Sequence, residues 1–451
     1  MFSLARLLIA ALMLGVASAP VRAGVFNPVT FELANGMTVV VIENHRAPIV
    51  SHMVWYRVGN ADSPIGKSGL AHFFEHLMFK GTPEVPAGQF SKTVARHGGR
   101  DNAFTSQDFT AYFQNVAADR LELVMKLESD RMVNLALSDE AVRPEIDVVL
   151  EERRSRTDNE PAALLHERMD AIFHLTHPYR NPVIGWEHEI RGFTRADAEA
   201  FYRRWYAPNN AILIVAGDVT VDGVRPLAEK YYGRIPARAL APRQRPREVE
   251  SLAARRVVLR DKAVRQPSWS RDYRAPAFGD GSPKETLYAL QVLAHVLGSG
   301  ATSRLYRALV VEQALAVSAG ASYSPDRLDL DAIGFHATPR PGIDVARLEA
   351  AMEAEIARLL KDGVTEDEVA RSKKRLVAET VYARDSLSRG SYTLGIALTT
   401  GQTVADVEAW PERIAQVNAA QVNAAAKAIL REDRSITGFL LPALADEGAK
   451  P

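Results

Sequence analysis

"GLAHFFEHLMFKGT" (residues 69–82) sets two histidines and a glutamate into an otherwise apolar stretch of helical character. His72 and His76 are four residues apart, so both imidazoles leave the helix on one face, about one turn from each other. At that spacing two ring nitrogens can share one zinc ion. Glu75 stands a turn from His72 and next to His76, within reach of a proton on an activated water. The order H-x-x-E-H inverts the commoner H-E-x-x-H. Taken alone it also suits a core helix with hydrogen-bonded histidines, and a third ligand decides between the two.

Catalytic zinc takes three protein ligands and leaves one position open. A candidate third ligand comes from "RPEIDVVLEERRSR", Arg143 to Arg156, which reads as a helix with Pro144 in its first turn. Glu145 and Glu152 are seven apart and share a face, Ile146, Val149 and Leu150 point to the core, and Glu151 turns elsewhere. By itself an acidic helix of this kind is a solvated face as readily as a ligand set.

Taken together, the two segments resemble the pitrilysin/insulinase metallopeptidases, in particular their short bacterial and mitochondrial-processing-peptidase-like branch. That family's pattern is H-x-x-E-H, a zinc-binding Glu about 76 positions on, and a helper Glu seven residues before it. His76 to Glu152 is 76 positions, and Glu145 precedes Glu152 by seven. "NAFTSQDFTAYF", "HPYRNPVIGW", "FYRRWYAPNNAILIVAGDV" and "LGSGATSRLY" are similar to further family segments, in the expected order. The resemblance implies zinc as cofactor, held by His72, His76 and Glu152, with Glu75 as general base and Glu145 as the group that orients the site. It also implies that an edge strand holding Asn102, Ala103 and Phe104 pairs with the backbone of peptide substrates. Backbone pairing favours unfolded or extended peptides. As an ordinary sheet member the same strand would use Phe104 as core, and the two roles are compatible.

Active family members also draw an Arg and a Tyr from a second-half stretch resembling L-R-E-x-x-G-L-A-Y-S-V. Here that stretch is "LVVEQALAVSA", Leu309 to Ala319, with Val310 at the Arg position and Val317 at the Tyr position. Arg304, Tyr306 and Arg307 lie nearby, and His295 is the one histidine on the second half's equivalent helix. The expectation is a zinc-bearing subunit that closes like a clamshell with a homologous partner supplying the Arg/Tyr pair, a heterodimer. A self-sufficient homodimer and a non-catalytic, peptide-binding scaffold of the same fold are the alternatives.

The remaining chain sets the frame. After Arg6 the apolar run Leu7 to Ala19 is too short to span a bilayer but matches the core of a secretory leader. Cleavage before Gly24 is expected, and an uncleaved anchor would equally place the body outside the cytoplasm. In a two-membrane bacterium that means the periplasm, with no membrane span after cleavage. The chain has no Cys, so stability there rests on core burial, and any metal site uses His and carboxylates. Setting aside Arg6 and Arg22, 53 of the 55 basic residues face 55 acidic ones, a net charge of −2 without long runs of one sign. Nothing in that balance suits nucleic acid.

"RIPARALAPRQRPREVE", Arg234 to Glu250, reads as an extended, solvated linker between halves that share one strand, Pro, strand, helix order. The predicted fold is α+β: two homologous α/β-sandwich domains in tandem, each a sheet with helices packed on one face. The expected limits are a leader over 1–23, a zinc-binding domain over 24–233, the linker over 234–250, a second domain over 251–445 and a tail over 446–451.

Overall fold

The computed structural model describes residues 24–383 and 386–444. The leader and the tail expected at 446–451 lie outside the described residues.

Asn35-Gly36, between two β-prone runs, turns β1 (Val29–Glu32) into β2 (Thr38–Glu43), an antiparallel hairpin. β3 (Ile49–Tyr56) follows, and the break at Ser106 to Asp108 separates β4 (Arg100–Thr105) from β5 (Thr110–Ala117). The wholly apolar β6 (Ala211–Gly217) is buried throughout and lies between β2 and β3, giving the order β1-β2-β6-β3-β5-β4. The second sheet contains β7 (Arg255–Asp261), β8 (Ser268–Ala275), β9 (Ala316–Tyr323), β10 (Asp331–Pro339) and β11 (Ser435–Pro442), in the order β7-β11-β8-β10-β9. Without β1, the first sheet matches the second strand for strand. Even the single parallel pairing recurs, β2 with β6 and β7 with β11. A unit duplicated in the chain therefore folds twice to one topology.

Helices on one face of each sheet were the expectation, and the structure corrects it. In the first sheet Val39, Val41, Val54 and Tyr56 face the helix Leu70–Leu77, while Val40, Met53, Trp55, Ile212 and Ile214 form an equally apolar second face. Strands apolar on both sides need cover on both. The second face takes Leu394 and Ala397 from the helix Leu387–Thr399, which belongs to the other half. Gly395 permits the contact, since a Cβ there would come within 2.0 Å of Trp55. In return Leu165, Met169 and Phe173 of the helix Pro161–Phe173 cover Ile436, Leu440, Val257 and Leu259 of the second sheet. Each half lends the other a helix.

One further expectation is corrected. The acidic helix runs Asp139–Arg153, so Pro144 lies inside it and not in its first turn. Ser138 starts the helix earlier, its side chain accepting from the Ala141 amide. The linker is irregular over residues 236–254 and mostly exposed, as expected, yet ion pairs pin it to both halves. Arg245 pairs with Asp62 at 3.0 Å and Asp108 at 2.6 Å in the first half, and with Asp329 at 3.0 Å in the second. The Glu248 carboxylate accepts from the Leu175, Thr176 and His177 amides at 2.8, 3.1 and 2.8 Å. Composition shows a charged linker; it does not show that complementary charges wait on both sides of it.

Burial opposes ionisation of Glu248, but those three amides and Arg274 outweigh it and hold its pKa near about 2. A carboxylate depressed in the folded state stabilises above its unfolded pKa of about 4.5, and that stabilisation disappears as pH falls towards about 2. Glu248→Gln is expected to cost about 3 kcal/mol at neutral pH. Urea unfolding at stepped pH should show parent and variant converging below about pH 4.5.

Ala314 follows a π-helical turn at Tyr306–Glu312 and takes φ of +53°, at the position where the family pattern has Gly. An L side chain is strained there. Ala314→Gly is expected to stabilise the chain by about 1 kcal/mol in the same unfolding assay.

Candidate metal centre

The helix Leu70–Leu77 starts at Gly69, whose φ of +84° and close approach to the neighbouring loop both need glycine. A Cβ at Gly69 would lie 2.4 Å from the Ile184 carbonyl. The Gly69 amide donates to Asn60 Oδ1 at 2.7 Å. Leu70, Phe73, Phe74 and Leu77 enter the core. His72, Glu75 and His76 are left to face the helix Asp139–Arg153, which packs alongside.

That helix presents Glu145 and Glu152 to the histidines, while Glu151 is exposed and pairs with Arg154. His76 Nδ1 meets Glu145 Oε1 at 2.9 Å, and the other Glu145 oxygen takes Lys80. Glu152 Oε2 lies 3.2 Å from His76 Nε2 and 3.6 Å from His72 Nε2. One donor atom from each of His72, His76 and Glu152 falls within 4.8 Å of the others. Two ligands about 2.1 Å from a tetrahedral zinc stand roughly 3.4 Å apart. Two imidazoles and a carboxylate at such separations are a donor set that fits zinc.

The charges agree with a cation site. Burial opposes the charge on His76, but hydrogen bonds to Glu145 and Glu152 overcome it and lift the pKa to about 9. His72, buried and beside that positive ring, drops to about 4. Both Glu145 and Glu152 are held below the usual range: Glu145 by His76 and Lys80 against its burial, Glu152 chiefly by His76.

Glu75 is outside the donor cluster. It is 8% exposed, and burial pushes its pKa to about 7. Its Oε2 accepts from Thr105 Oγ1 at 2.5 Å. Thr105 ends β4, and β4 is the open edge of the first sheet. Asn102, Ala103 and Phe104 lie on this edge strand, pairing on one side only, with β5. Phe104 turns away from the metal donors and stacks on Tyr392 of the exchanged helix at 5.2 Å.

The substituted second-half positions are apart from this chemistry. Val310 is buried and Val317 is 45% exposed on β9. Arg304 is held by Glu368 at 2.5 and 2.6 Å and by the Gly363 carbonyl at 2.7 Å. Sequence reasoning missed the Thr105 hydroxyl on Glu75, Lys80 on Glu145 and Arg156 on Glu152. Only Arg156 left a local signal: it is i+4 from Glu152, whose Oε1 it meets at 2.6 Å.

Known proteins place this geometry in a family. Residues 38–185 match the model of "Insulinase (Peptidase family M16)", and residues 192–376 that of "Peptidase M16 inactive domain". The zinc protease PqqE of Helicobacter pylori is 32% identical over 360 residues, which cover 79% of this chain and 80% of that protein. An uncharacterized zinc protease of Mycobacterium bovis is 33% identical over 384 residues, covering 84% and 85%. The crystal structure of a protease from Helicobacter pylori superposes with a TM-score of 0.85 at 30% identity, covering 92% of this chain and 99% of that one. Among the described residues no helix is long and apolar enough to cross a membrane. With both family models and full-length relatives in agreement, this chain belongs to the insulinase family of peptidases, M16.

Proposed function

We propose that the chain is the zinc-bearing subunit of an endopeptidase that cuts extended, unfolded peptides in the periplasm, completed by a homologous chain carrying the Arg/Tyr pair. One observation carries this reading: a three-donor cluster, with a buried carboxylate beside it that is hydrogen-bonded to the end of an open edge strand.

A peptide adding to β4 at Asn102, Ala103 and Phe104 is held by its backbone, whatever its side chains. That strand leads to Thr105, and so to Glu75. Glu75 takes the proton of the attacking water, then returns it to the leaving amine, and a carboxyl raised to about 7 suits both transfers near neutral pH. Zinc, when held by His72, His76 and Glu152, supplies a Lewis acid for the scissile carbonyl and lowers the pKa of water. Glu145 fixes the His76 ring through Nδ1, leaving Nε2 for the cluster.

The partner is supported by Val310 and Val317, which offer no group for an oxyanion. The expected leader supports the compartment. A scaffold reading is favoured by the same two valines, and a complete donor set beside Glu75 weighs against it.

A quenched, unstructured peptide tests the proposal. The purified chain should cut it weakly, and addition of a homologue with the Arg/Tyr pair and no HxxEH should give rapid turnover that a zinc chelator abolishes. Full turnover by a monomer would remove the partner, and inactivity of the zinc-loaded pair would leave the scaffold.

A further inference from the structure

The second half repeats the arrangement around the metal centre with different residues in it. Helices Lys284–Gly298 and Glu366–Ala383 pack together as Leu70–Leu77 and Asp139–Arg153 do in the first half. In the first half one histidine meets two positions seven residues apart, Glu145 at 2.9 Å through Nδ1 and Glu152 at 3.2 Å through Nε2. In the second, His295 meets Ser372 at 2.8 Å through Nδ1 and Glu379, again seven on, at 3.8 Å through Nε2. That register places Gln291 opposite His72 and Ala294 opposite Glu75, so H-x-x-E-H has become Q-V-L-A-H. Among the described residues only the first-half cluster brings three metal donors together.

A cavity of about 540 Å³ lies beside His295 and Ser372, a volume ordinary for a small-molecule site. Five arginines, Arg304, Arg307, Arg358, Arg371 and Arg375, line it against four carboxylates, Glu312, Asp362, Asp367 and Glu368. Ser303, 3% exposed, and His295 both line it; Ser303 Oγ is buried without a hydrogen-bond partner, and His295 Nε2 faces only Glu379, 3.8 Å away. Arg375 donates to Thr302 Oγ1 at 2.5 Å and, among the described residues, pairs with no carboxylate. Arg371 and Arg307 reach Asp367 and Glu312 only at 3.5 Å. The inner acceptor, Glu368, is already taken by Arg304 and by the amide and hydroxyl of Thr365. Asp367 is 90% exposed and belongs to the rim. Buried donors left unpaired are costly, and planar guanidinium groups suit oxygen pairs.

We propose that this second cleft binds a compact oxyanion, a carboxylate or a phosphate group. The second half keeps the helix pair of the first without three metal donors among its described residues, and arginines line the cleft beside it. The oxyanion is either free phosphate or the C-terminal carboxylate of a peptide, and the test separates the two.

The zinc-loaded chain carrying Glu75→Gln, which cuts peptides far more slowly, is titrated calorimetrically with inorganic phosphate, an N-acetylated dipeptide with a free C-terminus, too short to pair along β4, and the same dipeptide amidated. One saturable site is expected. Arg371→Gln with Arg375→Gln should weaken it at least about 10-fold, the loss of a charged hydrogen bond. Both arginines are exposed, so the melting temperature and zinc content should not change. Binding of phosphate alone assigns a free-anion site, and binding of the free but not the amidated peptide assigns a chain-terminus site. No saturable binding of any probe, or binding untouched by the double substitution, would overturn the proposal, whether or not the chain proves to be a peptidase.

Discussion

Glu75→Gln is expected to lower peptide cleavage by about 10²- to 10⁴-fold, the usual contribution of a positioned general base, while zinc content stays the same. The substitution keeps shape and volume, and the amide still accepts the Thr105 hydroxyl that now sits 2.5 Å from Glu75. What it removes is a basic oxygen. Glu75 is absent from the three-donor cluster, so the metal has no reason to leave. Turnover is read with the quenched peptide and metal content by atomic absorption. Retained cleavage would dismiss Glu75 as the base, and loss of zinc as well would make it a ligand.

Arg153→Met is expected to cost about 3–5 kcal/mol of stability and to weaken zinc binding by about 10-fold or more. Arg153 follows the proposed ligand Glu152 and is 5% exposed. Its guanidinium meets Glu167 at 2.8 and 3.0 Å and the Gly185 carbonyl at 2.8 Å. Gly185 lies against Ser68 and Gly69 at the head of the histidine helix, where a Cβ would come 2.4 Å from the Ser68 carbonyl. One side chain therefore ties together both helices of the metal centre and the exchanged helix Pro161–Phe173. Removing it strands Glu167, 6% exposed, without its counter-charge. Adding Glu167→Met should recover much of the stability, because no buried charge is then left unpaired, but not the zinc affinity. Urea unfolding and competitive zinc titration separate the two effects, and equal recovery of both would show that Arg153 acts through stability alone.

Much of this site was legible before folding, for identifiable reasons. A helix repeats every 3.6 residues, so His72 with His76, and Glu145 with Glu152, share faces from their spacing alone. Asn35-Gly36 announced a hairpin, and the duplicated strand order announced the second sheet. The harder features depended on contacts between distant segments. Thr105 reads as one more β-branched strand residue, and only the packing of β4 beside the histidine helix puts its hydroxyl on Glu75. Pro144 suggested a helix start because the Ser138 cap carries a weaker signal than proline.

By itself, then, the sequence determined which groups are available and how they are spaced along each element, since covalent geometry and helical or strand period decide both. It also determined that two similar units exist, because duplication is written in the order of residues. Only the tertiary structure decided that each half covers the other's sheet with a helix, that the charged linker is locked by Asp62, Asp108 and Asp329, and that β4 lies at the open edge beside the metal donors. Those outcomes follow from burying apolar surface on both sides of each sheet and from pairing charges far apart in the chain, and no local pattern encodes either one.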